Sequence, residues 1–263
     1  MGETLSQTER YPLDYERRFG GVARLYTKEG AARLAQASVT VVGLGGVGSW
    51  AAEALARTAV GKLTLIDLDN IAESNTNRQL QALTGAYGKP KAQALKERIA
   101  LINPLCEVTM VEDFVDEENV SEMLHTPVVL DCTDQVKAKA AMAAFVQKSG
   151  GLFITCGAAG GKTSALNILV DDLAKAKGDP LLSNLRYRLR KQYGYPRPKE
   201  GKRIEKFGIT AVYTADPVVR PEGSCDITGG LACSGYGSGV VVTAAIGFAA
   251  ASVAINRIAG LQK

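Results

Sequence analysis

Several residue types are scarce in this sequence. It has one histidine and one tryptophan, aromatic residues make up 6%, and no two of its five cysteines are spaced C-x-x-C. The odd cysteine count (Cys106, Cys132, Cys156, Cys225, Cys233) and that spacing argue against a zinc ribbon and a disulfide scaffold. They fit a reducing, cytoplasmic setting. His125 stands just before an apolar run with no partner in view, and reads as a surface or capping residue. The N-terminal segment MGETLSQTERYPLDYERR has no apolar core, so no signal peptide is expected. Charge of one sign is also in short supply. The 31 Lys+Arg against 27 Asp+Glu leave +4, too mild on its own to mark a nucleic-acid binder. With 263 residues, 46% hydrophobic and 22% charged, the chain can bury a core and is neither a disordered nor a collagen-like protein.

One stretch lacks charge altogether. Ile227 to Asn256 has none, and Val240–Ile255 reads VVVTAAIGFAAASVAI. Its apolar heart is shorter than the ~20 residues a bilayer span needs, and Thr243, Gly247 and Ser252 interrupt it. We expect a helix buried in the core or in a subunit interface, not a membrane segment.

What is present alternates strand and helix. Ser38–Val42 is a short β-branched run ending in glycines, Val47–Ala59 has helical period, and Lys62–Leu68 reads as a strand. Lys91–Ile102 sets Ala94, Leu95, Ile99 and Ile102 at helical spacing, and Asn103-Pro104 stops it. Glu107–Val111 (strand), Glu117–Leu124 (short helix), Pro127–Cys132 (strand), Gln135–Lys148 (helix) and Gly151–Cys156 (strand) follow. Such alternation predicts an α/β, Rossmann-like fold, a mainly parallel sheet flanked by helices. Beyond Gly157, Ser164–Val170 and Ile209–Thr214 read as strands, Pro180–Gln192 as a helix, and Gly194–Gly208 as loop. There are no internal repeats. We expect a single domain over 1–263, with a nucleotide-binding core at 28–157 and a C-terminal strand and helix elaboration at 158–263 serving substrate and dimer contacts.

The strongest local signal is the turn Gly43-Leu44-Gly45-Gly46-Val47-Gly48, directly after a strand and opening a helix. Glycines permit a tight turn and close approach of backbone to phosphate, and the helix N-terminus offers free N–H groups. Asp67 follows at the end of the next strand, placed to accept from ribose hydroxyls. This much fits NAD, FAD or ATP, in an enzyme or in a non-catalytic nucleotide sensor. The next segments argue against a dehydrogenase: Asp67-Leu68-Asp69, then Ser74-Asn75-Thr76-Asn77-Arg78-Gln79, then Gly88-Lys89-Pro90-Lys91-Ala92. Pro90 suits a first helical turn, which puts Lys91 at the helix start, where it opposes the dipole unless an anion is near. Arg78 and Lys91 form the cationic clamp a triphosphate needs. Asp134, after the strand PVVLDC, faces the same crevice and suits Mg²⁺ by oxygen ligation.

In order and combination these motifs (G-x-G-G-x-G, D-x-D, S-N-x-N-R-Q, G-x-P-K-A, D-C-T-D) resemble those of the ubiquitin-activating-enzyme-like adenylyltransferases, the E1/MoeB/ThiF superfamily, over roughly Arg18 to Cys156. The resemblance implies ATP and Mg²⁺ as cofactors. It implies an ATP site of Gly43, Gly45, Gly46, Gly48, Asp67, Asp69, Asn75, Arg78, Gln79, Lys91 and Asp134. In that site Asp67 holds the ribose, Arg78 and Lys91 the triphosphate, and Asp134 the Mg²⁺ and α-phosphate region, with Asn75 and Gln79 supporting Arg78. Arg78, Lys91 and Asp134 would then be catalytic, in the attack of a carboxylate on the α-phosphorus of ATP. The superfamily's Arg-[Tyr/Phe]-x-Arg, whose second arginine reaches the partner subunit's ATP, reads Arg18-Phe19-Gly20-Gly21 here. Arg17, Arg18 or Arg24 is left to supply that charge, and Arg18 is retained as the candidate.

Sulfur-carrier activators usually carry two C-x-x-C pairs, absent here. The segments Arg18–Tyr26, Asp113-Phe114-Val115 and Cys233–Ser238 are similar to the bacterial tRNA threonylcarbamoyladenosine dehydratases, nearly end to end. That similarity implies activation of the carboxylate of t6A in tRNA, followed by intramolecular capture to cyclic t6A with loss of water. A MoeB/ThiF-like adenylyltransferase for the C-terminus of a sulfur-carrier protein shares every ATP residue and remains the alternative. The resemblance also implies a homodimer and a link with a cysteine desulfurase and its sulfur-acceptor protein. Cyclisation needs no thioester, so Cys233 is expected to be dispensable for catalysis. Cys132 and Cys156 are expected to be packing residues and Trp50 a core residue.

A tRNA substrate calls for concentrated positive charge. Arg186 to Lys206 carries nine basic residues against Glu200 and Glu205, +7 in 21 residues, which leaves the rest of the chain at −3. Arg186, Arg190, Lys191, Lys202 and Arg203 are the candidate tRNA contacts, with Tyr187, Tyr193 and Tyr195 among them.

Overall fold

The structure, a computed structural model, describes residues 13–219 and 236–261. Helix α1 (Tyr15–Gln36) precedes β1 (Ser38–Val42), α2 (Gly48–Arg57), β2 (Lys62–Ile66), a 3-10 turn (Glu73–Asn75) and α3 (Lys91–Ile102). The chain continues through β3 (Glu107–Val111), α4 (Val120–Met123), β4 (Val128–Asp131), α5 (Val136–Lys148), β5 (Leu152–Cys156), β6 (Ile168–Asp172), α6 (Pro180–Gln192), β7 (Thr210–Thr214) and α7 (Val240–Ala259).

The strands form one seven-stranded sheet in the order β3-β2-β1-β4-β5-β7-β6. Every neighbouring pair is parallel except β6–β7. Central strands buried on both faces need continuous apolar runs, which is what β1 (SVTVV) and β4 (VVLD) supply. One face is covered by a core that joins Leu34 of α1, Leu55 of α2, Leu95 of α3 and Ile246 and Ala250 of α7. The other packs Val120, Met142, Leu185 and Phe207 over the opposite side. Between β1 and β4 the chain reverses its direction of travel across the sheet. A crevice must open there at the carboxyl ends of the strands.

Two elements differ from the sequence reading. Helix α1 was not anticipated, because of its 22 residues only Phe19, Gly20, Gly30 and Leu34 are buried and the apolar period is diluted. It starts where the Asp14 carboxylate accepts from Arg17 N at 2.9 Å. It kinks at Thr27 (φ 66°), whose hydroxyl then accepts from Gly30 N at 3.2 Å and caps the second half. The strand expected over Ser164–Val170 is shifted to Ile168–Asp172, since the Ser164 hydroxyl accepts from Leu166 N at 3.2 Å and holds that segment in a turn.

Helix α7 is the uncharged segment. Length and composition would let it cross a membrane. Here Val242, Thr243, Ile246, Gly247, Ala250, Ala251, Ala254, Ile255 and Ala259 are buried against α1, α2 and the sheet. Gly247 makes this possible, because a Cβ there would lie 2.4 Å from the carbonyl oxygen of Val47.

Candidate active site

The crevice at the reversal point is a cavity of about 790 Å³. The ends of β1, β2, β4 and β5 bring Val42, Ile66, Cys132 and Gly157 to it, and loops add the rest. Gly43, Gly45 and Gly46 line it. Gly43 has φ +82°, and a Cβ on it would meet the Cys132 backbone at 3.0 Å, so the turn can sit this low only as glycine. Among the described residues the nearest atom to a Cβ on Gly45 would be Gln79 Nε2, 3.9 Å away, and the space in front of it faces the cavity. Gly48 does not line the cavity. A Cβ there would lie 1.8 Å from the Gly43 carbonyl oxygen, and its part is to close the turn.

Acidic groups hold the turn from below. The Asp67 carboxylate accepts from Leu44 N at 2.6 Å and from Asp69 N at 2.8 Å. Lys91, in the first turn of α3, is buried, with its Nζ 2.6 Å from Asp69 Oδ2 and 3.7 Å from Asp67 Oδ1. A buried ammonium at a helix N-terminus needs anions, and the chain itself provides two. Asp69 is more than half exposed, 57% by its side chain, so its hold on Lys91 is the weaker of the two to desolvate.

Arg78 and Asp134 complete the lining. Arg78 Nη1 donates to Ser74 O at 2.8 Å and to Asn77 Oδ1 at 3.0 Å. Asn77 is anchored in turn by its Nδ2, which donates to Ser238 O at 2.6 Å. Of the two residues expected to support Arg78, Asn75 does so through its backbone, its carbonyl oxygen accepting from Arg78 N at 3.1 Å. The Asn75 side chain accepts from Ala72 N, and Gln79 Oε1 faces Gln81 Nε2, though both residues line the cavity. Asp134 is exposed at the cavity wall, and among the described residues its carboxylate takes one hydrogen bond, from Gln135 Nε2 at 3.2 Å. No cluster of three or more His, Cys, Asp or Glu occurs among the described residues. A metal here would rest on this one carboxylate and on ligand oxygens, as Mg²⁺ does at phosphates.

These are the features of an ATP-handling crevice, and the comparisons agree. The ThiF family profile matches residues 15–262. The tRNA threonylcarbamoyladenosine dehydratase of Haemophilus influenzae is 43% identical over 251 residues, covering 93% of this chain and 94% of that protein. The chain belongs to the ThiF family, in its tRNA threonylcarbamoyladenosine dehydratase branch. The crystal structure of the Escherichia coli dehydratase in complex with ATP superposes with a TM-score of 0.83 at 39% identity, covering 97% of this chain and 96% of that one. The molybdopterin-synthase adenylyltransferase of Salmonella typhimurium is 37% identical but over only 129 residues, 48% of this chain and 51% of that protein.

Not every residue singled out for this ThiF-family chain reaches the cavity. Arg18 does not: its Nη1 donates to Ile102 O at 3.1 Å, at the end of α3 opposite Lys91, about 16 Å away by helix rise. Among the candidate tRNA contacts, Arg190 is committed to the protein. Its Nε donates to Pro196 O at 3.0 Å and its guanidinium lies 5.2 Å from the Phe207 ring centroid. Arg186 is half-buried facing Asp179 and Tyr213, and burial lowers its pKa. Lys191, Lys202 and Arg203 are exposed. His125 is exposed too. Trp50 is only half-buried, its Nε1 donating to Arg78 O at 3.0 Å. Cys233 lies outside the described residues.

The ThiF crevice also rests on two buried ion pairs that the sequence reading missed. Lys139 Nζ sits 3.0 Å from Asp131 Oδ2, and Thr155 Oγ1 donates to the same oxygen at 2.7 Å. Lys162 Nζ sits 3.2 Å from Asp179 Oδ2 and also donates to Thr214 O, while Ala158 N donates to Asp179 at 2.9 Å. Both pairs brace loops after β4 and β5 that line the cavity. Asp131 ends β4 and Lys139 lies on α5, so the turn between the two elements brings the pair together and no periodicity within either one flags it. Cys132 and Cys156 end adjacent strands with Sγ atoms 3.9 Å apart. That neighbouring thiol and burial hold the Cys132 pKa well above the usual range, leaving it an unreactive packing group.

Proposed function

We propose that this protein is an ATP-dependent tRNA threonylcarbamoyladenosine dehydratase, activating the carboxylate of t6A by adenylation and closing it to cyclic t6A. The observation that carries this reading is the meeting of Arg78, Lys91 and Asp134, from three separate segments, around one cavity beneath a glycine turn.

In the reaction, a t6A carboxylate oxygen attacks the α-phosphorus of ATP and pyrophosphate leaves. Lys91 and Arg78 neutralise the charge that gathers on the phosphate oxygens. Lys91 is already desolvated, so phosphate can replace the exposed Asp69 as its partner while Asp67 stays with the turn and the ribose. The backbone N–H groups around Gly45 and Gly46 cradle phosphate. The donor set at Asp134 fits Mg²⁺, which would neutralise phosphate charge there. A nitrogen of the same threonylcarbamoyl group then attacks the mixed anhydride carbonyl, AMP departs and the nitrogen's proton passes to water. Net, t6A loses one water and ATP gives AMP and pyrophosphate.

The enzyme works as a homodimer in the cytoplasm, with Arg18 offered to the partner subunit's cavity, since its own is out of reach. Exposed Lys191, Lys202 and Arg203 meet tRNA phosphates. A cysteine desulfurase and its sulfur-acceptor protein are proposed associates on resemblance alone.

The test uses pure protein with ATP and radiolabelled pyrophosphate, and either t6A-bearing tRNA or a carrier protein ending in Gly-Gly. Exchange of label with tRNA, and an 18 Da loss from t6A by nucleoside mass spectrometry, are the expected results. Exchange with the carrier alone would assign the sulfur-carrier activity instead. Binding of NAD without ATP would reduce the protein to a nucleotide sensor.

A further inference from the structure

At the far end of α5 from the cavity lies a second, open groove of about 530 Å³. Its walls are Tyr193, Tyr195, Pro196 and Phe207, and its rim carries the exposed Lys148 and Lys206. Ala144, Gln147 and Lys148 supply the floor, three residues on one face of α5.

The groove is rigidly built. One floor side chain, Gln147, fixes one wall: its Oε1 accepts from Tyr195 OH at 2.6 Å and its Nε2 donates to Phe207 O. The Tyr195 ring packs against Phe207 with centroids 4.9 Å apart at 60°. The far side of Phe207 is backed by the Arg190 guanidinium. On the opposite wall, Tyr193 OH donates to Glu117 Oε1 at 2.9 Å, and Arg188 lies 3.8 Å from the same oxygen. Every hydroxyl and carboxylate at the groove thus has a partner within the protein. What is left to offer a ligand is the part-exposed Tyr193 and Tyr195 rings, beside two ammonium groups that make no ion pair among the described residues. Fixing the rings beforehand removes the entropy cost of ordering them on binding.

Ring faces flanked by cations suit a nucleobase with its phosphates: aromatic faces stack with any base and lysines take the backbone. The groove sits within the chain's one strongly basic segment, Arg186 to Lys206. Along α5 it begins about 9 Å from the catalytic cavity, by helix rise from Ala138, which lines the cavity, to Ala144, which lines the groove. Resting on the tRNA-dehydratase reading above, we infer that this groove takes an unpaired nucleotide of the RNA substrate other than the one modified, its base stacked on Tyr193 and Tyr195 and its phosphates on Lys148 and Lys206. The contact adds affinity for RNA without reading the reacting base. It converts Arg190, whose guanidinium is spent on Phe207 and Pro196, from an RNA contact into a brace for the groove.

The experiment measures KM for t6A-bearing tRNA, KM for ATP and kcat in the full-length protein. Tyr193→Leu and the loop variant Lys206→Glu are compared with wild type, with Tyr193→Phe as the conservative rescue. Loss of one stacked base predicts a KM for tRNA raised roughly tenfold in Tyr193→Leu, with kcat and KM for ATP held and with Tyr193→Phe restoring most of the affinity. Lys206→Glu raises the same KM with no aromatic packing touched, which keeps the inference testable if Tyr193→Leu folds poorly. An active wild type with an unchanged tRNA KM in both variants overturns the groove and leaves the dehydratase reading standing. Tyr193→Phe as impaired as Tyr193→Leu overturns it too, by making the hydroxyl contact to Glu117 the important one. A wild type that neither binds nor dehydrates tRNA overturns both readings together.

Discussion

Lys91 shows how a single residue can be both structurally expensive and functionally apt. Its ammonium is buried at a helix start, where the dipole repels it, and it is stable there because Asp69 and Asp67 stand 2.6 and 3.7 Å away. The two carboxylates are not equivalent. Asp67 is locked to the turn by two backbone N–H groups, while Asp69 is exposed. Lys91→Met should therefore abolish pyrophosphate exchange, by roughly 10²–10³ in kcat, as loss of one fixed charge at a transition state does. Asp69→Asn should cost far less, roughly tenfold or under, since only the resting partner is lost. Equal damage in the two variants would show that Asp69 itself handles substrate.

At the scale of elements, α2 and α3 are joined by a charge cluster away from the cavity. Glu53 of α2 is 5% exposed and receives Arg57 at 2.7 Å and Arg98 at 2.7 and 3.0 Å. Burial disfavours its charge, but hydrogen bonds from Arg98 and Arg57 outweigh that and leave its pKa below the ordinary 4.5. A carboxylate depressed on folding stabilises at pH values above its unfolded pKa and loses that contribution as pH falls through the folded value. Glu53→Gln should thus destabilise by about 1–3 kcal/mol at pH 7. In urea melts, the gap to wild type should shrink below pH 4.5, and a constant gap across that range would refute the ion-pair account.

Elements were legible where the information is local. The buried runs of β1 and β4, the glycine turn, and the helix over Lys91–Ile102 follow from periodicity and punctuation within a dozen residues. Hidden from such reading were α1, whose buried face is too sparse, and the true supports of Arg78. Asn77 is set by Ser238, 161 residues away. Gly46 is glycine partly because Thr243 of α7 stands 3.0 Å from where its Cβ would be. Both contacts are made by packing, and no spacing rule encodes them. The cavity's membership could be read from the motifs. The struts behind it, Lys139–Asp131 and Lys162–Asp179, could not.

The whole molecule sets two further expectations. Arg18 lies at the end of α3 remote from its own cavity, so any ATP it serves belongs to another copy. Arg18→Ala and Lys91→Met, each inactive alone, should regain activity when mixed as a dimer, which a subunit-exchange assay would reveal. No recovery in sedimenting dimers would confine each site to one chain. The charge asymmetry makes a separate statement. Reversing Lys191, Lys202 and Arg203 to Glu should weaken tRNA binding and flatten its salt dependence by up to about three phosphate contacts' worth of slope, with ATP binding preserved. An unchanged salt slope would remove these residues from the RNA surface.

The close seat of Gly247 on the Val47 carbonyl also bears on biosynthesis. A ribosome delivers the glycine turn, Arg78, Lys91 and Asp134 well before residues 240–259, yet α2 borrows its apolar cover from that late helix. Until α7 docks, the nascent nucleotide cradle carries a greasy flank, the kind of surface chaperones shield. The part of the chain with the chemistry is therefore made early and becomes competent late.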